Sequence, residues 1–116
     1  MQVKILYVED ELSLGKIVKH ALTASGYDVC LESDGAKVVM AFNKFNPHIC
    51  VLDVMLPNIS GFDLAKQIKE INSNVPIIFV TAKTIYTFFT FILANCKSIY
   101  SNVADVVTAY NKTKWF

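Results

Sequence analysis

The chain contains no arginine, and all 11 of its basic residues are lysine. The flat guanidinium fork that grips phosphate or guanine at two points is therefore missing. With a formal net charge of +1 there is no basic field either, so direct nucleic-acid binding by this chain is not expected. Cysteine is sparse: Cys30, Cys50 and Cys96 show no Cys-x-x-Cys spacing and two of them lie in apolar runs. That pattern excludes a disulfide framework or a zinc site and suits buried thiols in a reducing compartment. Long apolar runs are also lacking. The stretch after Met1-Gln2-Val3-Lys4 is too short and wrongly flanked for a signal peptide, and Ile85 to Ala94 is too short to span a bilayer. A cytoplasmic protein with no membrane anchor is the expectation.

What is present is a core. Hydrophobic residues make up 53% of 116 residues, enough for one globular unit. From Gln2 to Lys83 the apolar period alternates between strand and helix in the order of repeated βα units. Val3, Ile5, Leu6 and Val8 form a first strand. Leu14, Ile17, Val18, Ala21 and Leu22 recur at helical spacing over roughly Leu12 to Ser25, and Gly26 stands where a left-handed cap ends the helix. A second strand covers Tyr27 to Leu31. Asp34 then caps a helix carrying Val38, Val39, Ala41, Phe42 and Phe45, and Pro47 forbids its continuation. His48 to Asp53 forms the third strand, Phe62 to Ile71 the third helix, and Pro76 opens a fourth strand through Ile77 to Thr81. Strands this continuously apolar belong to a parallel sheet buried on both faces.

The first and third strands both end in carboxylates, Glu9 and Asp10 on one and Asp53 on the other. Three acids at one edge of a sheet mark the place where open α/β folds bind and react. Taken singly, each has an ordinary role as a solvated or helix-capping acid. Likewise Thr81 alone is a β-branched strand residue, Lys83 alone a surface lysine, and His20 and His48 are structural.

In combination these residues carry a resemblance. Ile5 to Glu11, Val51 to Asp63 with its Leu56-Pro57-Asn58 loop, and Pro76 to Lys83 look like the receiver domain of bacterial two-component response regulators. The wording is closest to regulators that carry a winged-helix DNA-binding domain after the receiver. The resemblance implies a flavodoxin-like α/β fold with strand order 2-1-3-4 over residues 1–83, and a fifth strand left open. It implies Asp53 as phosphoacceptor from a sensor histidine kinase, and Mg²⁺ held by Glu9, Asp10, Asp53 and the backbone carbonyl of Met55. Thr81 would hydrogen-bond the phosphoryl group, and Met55 and Lys83 fall where the family tunes the lifetime of the phosphate. Such a domain is a stoichiometric acceptor and not an enzyme.

The resemblance stops at Lys83. A receiver continues with a helix, a small turn, a fifth strand ending in Lys-Pro and a last helix. Residues 84–116 instead contain no Gly, no Pro and one acid, Asp105, yet hold eight of the chain's 14 aromatics. That composition is what an out-of-frame reading of an AT-rich gene produces, so the tail reads as a frameshifted or truncated remnant with weakened output. Thr84 to Lys97 could form a helix on the sheet, and Val103 to Tyr110 an edge strand or second helix. An uncovered edge would favour self-association. Two other classes remain to be distinguished from a phosphoacceptor. A degenerate, non-phosphorylated interaction module would keep the fold and take up no phosphoryl group. A Mg²⁺-dependent phosphohydrolase predicts an acid two residues after its nucleophile, where this chain has Met55.

Overall fold

The first apolar run divides its side chains between two faces, and that division organises the fold. A computed structural model describes residues 2–80 of the chain. In it β1 (Lys4–Val8) sends Ile5 and Tyr7 to one side and Leu6 and Val8 to the other, none more than 2% exposed. β2 (Asp28–Glu32), β3 (Ile49–Asp53) and β4 (Ile77–Val80) complete a parallel sheet of order β2-β1-β3-β4, the α/β arrangement expected from the sequence. Because alternate side chains point to opposite faces, each face needs its own helical cover. α1 (Leu12–Ala24) covers the Ile5 and Tyr7 side, and α2 (Val38–Phe45) and α3 (Gly61–Ile71) cover the Leu6 and Val8 side.

α1 buries Gly15, Val18 and Leu22. Gly15 packs closely on β2: a Cβ there would come within 2.9 Å of Leu31 Cδ1, so the tip of that leucine would have to shift. Ile17, assigned to the apolar face by its spacing, is instead 64% exposed. One residue is a rotation of about 100° on a helix, which carries Ile17 to the side of Val18 away from Leu22. The helix closes as expected: Gly26 takes φ +100, and the N–H of Tyr27 donates to the Leu22 carbonyl at 3.1 Å.

The approach to α2 differs in detail from the sequence reading. Asp34 Oδ1 accepts from the Ala36 N–H at 2.9 Å, but what it caps is a turn of 3₁₀ helix, Gly35–Lys37, placed ahead of α2. The helix stops one residue before Pro47, at Asn46, whose φ of 53 lets its N–H bond the Phe42 carbonyl. α3 starts from Ser60, whose Oγ accepts from the Asp63 N–H at 3.2 Å, and it buries Leu64, Ala65 and Ile68. Ile71, read as part of that apolar face, lies in the last turn and is 47% exposed.

Cys30 and Cys50 both stand opposite Leu6, one on each side of β1. Two strand spacings of about 4.8 Å separate them, too far for a disulfide. His48 has a structural place at the opposite end of the sheet from the acids, its Nδ1 accepting from the Lys4 N–H at 2.9 Å. Among the described residues no helix is long and apolar enough to cross a membrane. Thr81, Lys83, the fifth strand and the whole of residues 84–116 lie outside the described residues.

Candidate functional site

Register brings the acids together. β1 and β3 are parallel neighbours with Val8 opposite Leu52, so the residues that follow, Glu9 and Asp53, emerge side by side at the carboxyl end of the sheet. Asp10 comes next in the chain, before α1 begins. One carboxylate oxygen from each of Glu9, Asp10 and Asp53 lies within 4.8 Å of the others. Asp10 is exposed, Asp53 partly exposed, and Glu9 only 5% exposed.

Glu9 is the constrained member. Its N–H donates to the Glu32 carbonyl on β2 at 3.1 Å, which fixes the backbone. Its Oε1 accepts from the Tyr7 hydroxyl at 3.4 Å and its Oε2 from the Glu11 N–H at 3.3 Å. Burial raises its affinity for a proton, taking the pKa to about 7; the Glu11 N–H opposes the shift and the charge of Asp53 adds to it. Glu9 thus also engages the head of α1, since the N–H it accepts belongs to Glu11, the N-cap residue, which makes no side-chain cap bond of its own.

Asp53 is positioned by the loop it begins. The Met55 N–H donates to Asp53 Oδ1 at 3.0 Å, and the Val54 N–H donates to the Val80 carbonyl at 3.1 Å. The Gly61 N–H then donates to the Val54 carbonyl, closing the loop onto the head of α3. Met55 itself turns its side chain to solvent, 78% exposed. Phe62 stacks obliquely on Phe79 with ring centroids 4.7 Å apart, a flank of the loop on the β4 side. An open cleft lined by Asp34, Gly35, Val39, Leu56, Pro57 and Ile59 lies beside the acids and is lined by none of them.

The structure thus brings together Glu9, Asp10 and Asp53, places Met55 against Asp53 through its backbone, and leaves Thr81 and Lys83 outside the described residues. One residue that the sequence reading treated only as part of a strand also belongs here. Tyr7 is fully buried, two positions before Glu9 on the same face, and the two-residue alternation of a strand is the signal that could have found it.

The donor set suits a divalent cation. All three groups offer hard carboxylate oxygens within 4.8 Å of one another, the donor type that a hard divalent cation takes.

Comparison with known proteins agrees with this geometry. The family model of the response regulator receiver domain matches residues 5–94. The chain is 42% identical over 84 residues to the transcriptional regulatory protein RprY of Bacteroides fragilis, a match covering 72% of this chain and 36% of that protein. It is 40% identical over 83 residues to the alkaline phosphatase synthesis transcriptional regulatory protein PhoP of Bacillus subtilis, covering 72% of this chain and 35% of that one. The chain spans about a third of the length of the curated relatives it matches. Among solved structures, the response regulator TrrA from Thermotoga maritima in complex with Mg²⁺-BeF superposes with a TM-score of 0.67 at 23% identity, over 97% of this chain and 98% of that chain. Vibrio cholerae CheY4 gives a TM-score of 0.70 at 20% identity, again over 97% and 98%. The chain belongs to the family of response regulator receiver domains.

Proposed function

We propose that this receiver domain takes a phosphoryl group from a sensor histidine kinase onto Asp53, with Mg²⁺ as the required ion. The observation that carries the reading is the convergence of Glu9, Asp10 and Asp53 within 4.8 Å at the carboxyl ends of β1 and β3. Glu9, Asp10, Asp53 and the Met55 carbonyl would hold the ion.

An Asp53 carboxylate oxygen attacks phosphorus in line. The phosphorus–nitrogen bond of the phosphohistidine breaks as the new oxygen–phosphorus bond forms, the electron pair leaves on the imidazole nitrogen, and the product is an aspartyl phosphate. The Met55 N–H on Oδ1 orients the carboxylate so that the attacking oxygen is selected by the backbone. Unit charges about 4 Å apart interact by roughly 4 kcal/mol at an effective dielectric near 20, so carboxylates alone would repel the incoming group. The chemistry supplied by bound Mg²⁺ is neutralisation of that charge. Thr81 would hydrogen-bond the phosphoryl group and Lys83 would tune its lifetime. The domain acts as a stoichiometric acceptor, not an enzyme, and binds neither membrane nor nucleic acid itself. Because the sequence of residues 84–116 contains no Lys-Pro pair, phosphorylation would yield a weakened output.

The test is intact-mass analysis of the chain incubated with Mg²⁺ and phosphoramidate, for wild type and Asp53→Asn. One phosphoryl group gained by wild type only supports the reading. No gain in a folded sample overturns it in favour of a receiver fold kept as an interaction module.

A further inference from the structure

The deepest polar group under the acidic cluster belongs to Tyr7. Its side chain is 0% exposed, packed between the sheet and α1 in the cluster that contains Val18, Val51 and Val80. From this largely apolar layer the Tyr7 phenol hydroxyl donates to Glu9 Oε1 at 3.4 Å. Burying a hydroxyl is unfavourable unless it finds a partner, and the partner here is a group that would bind metal.

We propose that Tyr7 is a positioning residue for the ion site: its hydroxyl fixes the rotamer of Glu9 and stabilises the carboxylate from below, so that Glu9 meets the ion without reorganising. This rests on the proposed reading of Glu9, Asp10 and Asp53 as the Mg²⁺ ligands. Two donors, one on each oxygen, hold the Glu9 carboxylate: the Glu11 N–H reaches Oε2 at 3.3 Å and the Tyr7 hydroxyl reaches Oε1 at 3.4 Å. Either donor alone would leave the carboxylate free to turn about its last torsion. Outer groups that hydrogen-bond a ligand carboxylate commonly change metal affinity by about tenfold or more.

The experiment is isothermal titration of the full chain with Mg²⁺ for wild type, Tyr7→Phe, Glu9→Asp and the double variant, with thermal melts in EDTA alongside. Tyr7→Phe keeps the ring, and the expected result is an unchanged fold with a Mg²⁺ dissociation constant raised about tenfold. Phosphorylation by phosphoramidate should be slower at low Mg²⁺ and recover at saturating Mg²⁺, a split that loss of packing alone would not produce. Glu9→Asp withdraws the carboxylate by one methylene, so adding Tyr7→Phe to it should have no further effect on affinity. A Tyr7→Phe affinity equal to wild type, or an equal loss in the Glu9→Asp background, overturns the positioning role and leaves the phosphoacceptor reading intact. No Mg²⁺ binding by the folded wild type overturns both. Should Tyr7→Phe not fold, near-ultraviolet difference spectra decide: Mg²⁺ should perturb a tyrosine band in wild type and not in Glu9→Asp, and identical spectra overturn the role.

Discussion

A Cβ on Gly61 would collide with the carbonyl oxygen of Asp53 and come within 3.1 Å of Val54 Cα. The head of α3 therefore rests directly on the backbone that carries the Asp53 carboxylate, and backbone cannot swing aside as a flexible side chain does. Gly61→Ala should lower stability by about 2 kcal/mol through overpacking, and it should slow phosphoryl uptake further by shifting Asp53 relative to Glu9. Urea denaturation and intact-mass time courses read the two effects. Wild-type values in both would show that the loop gives way at no cost.

Much of this arrangement was legible because it follows from short-range rules. The apolar runs Val3 to Val8 and His48 to Asp53 marked buried parallel strands, and the acids at their ends could only fall on one edge. Details that depend on side-chain direction were not legible. Ile17 satisfied helical spacing yet faces solvent, because the five apolar positions from Leu14 to Leu22 define a wider stripe than the packing uses. α2 does end just ahead of Pro47, as the sequence indicated, but the left-handed Asn46 that caps it was not read from the sequence. Strand alternation sets Tyr7 and Glu9 on one face, but the hydrogen bond between them also needed the rotamers of both.

Cys50 provides a pH test remote from the acids. It is 0% exposed on β3, and burial pushes its thiol up to about 12 against a weak opposing pull from Lys69. A thiol whose folded pKa exceeds its unfolded value of 9.0 adds stability that is complete below that value and is lost as pH rises through the window between them. The domain should weaken above about pH 9, and Cys50→Ala should weaken less steeply there. At pH 8, iodoacetamide mapping should find Cys30, partly exposed, alkylated ahead of Cys50. Equal rates for the two would mean that β3 opens readily.

Lys69 closes the turn between α3 and β4. Its ammonium donates to the Val75 carbonyl at 2.6 Å and to the Ser73 carbonyl at 3.2 Å, satisfying oxygens that the turn leaves without strand partners. Lys69→Met keeps most of the aliphatic stem and removes the donors, so it should cost about 1 kcal/mol in urea denaturation. The loss should persist in high salt, since direct hydrogen bonds and not long-range charge are removed. An effect that salt abolishes would argue for a screened surface charge instead.

The three carboxylates make opposite demands on the metal-free and metal-bound domain. Without a cation they repel across no more than 4.8 Å, and burial together with the charge of Asp53 raises the proton affinity of Glu9. Asp53→Asn removes one charge, so in EDTA it should melt above wild type. Mg²⁺ should reverse the order, because an ion that binds only the folded state stabilises it by about 2.7 kcal/mol at a concentration 100 times its dissociation constant. The asparagine variant, lacking one anionic ligand, should gain far less. Differential scanning fluorimetry of both proteins, with EDTA and across a Mg²⁺ series, checks the crossing. Parallel curves would show that Asp53 is not a ligand and that the cluster is held apart by solvent.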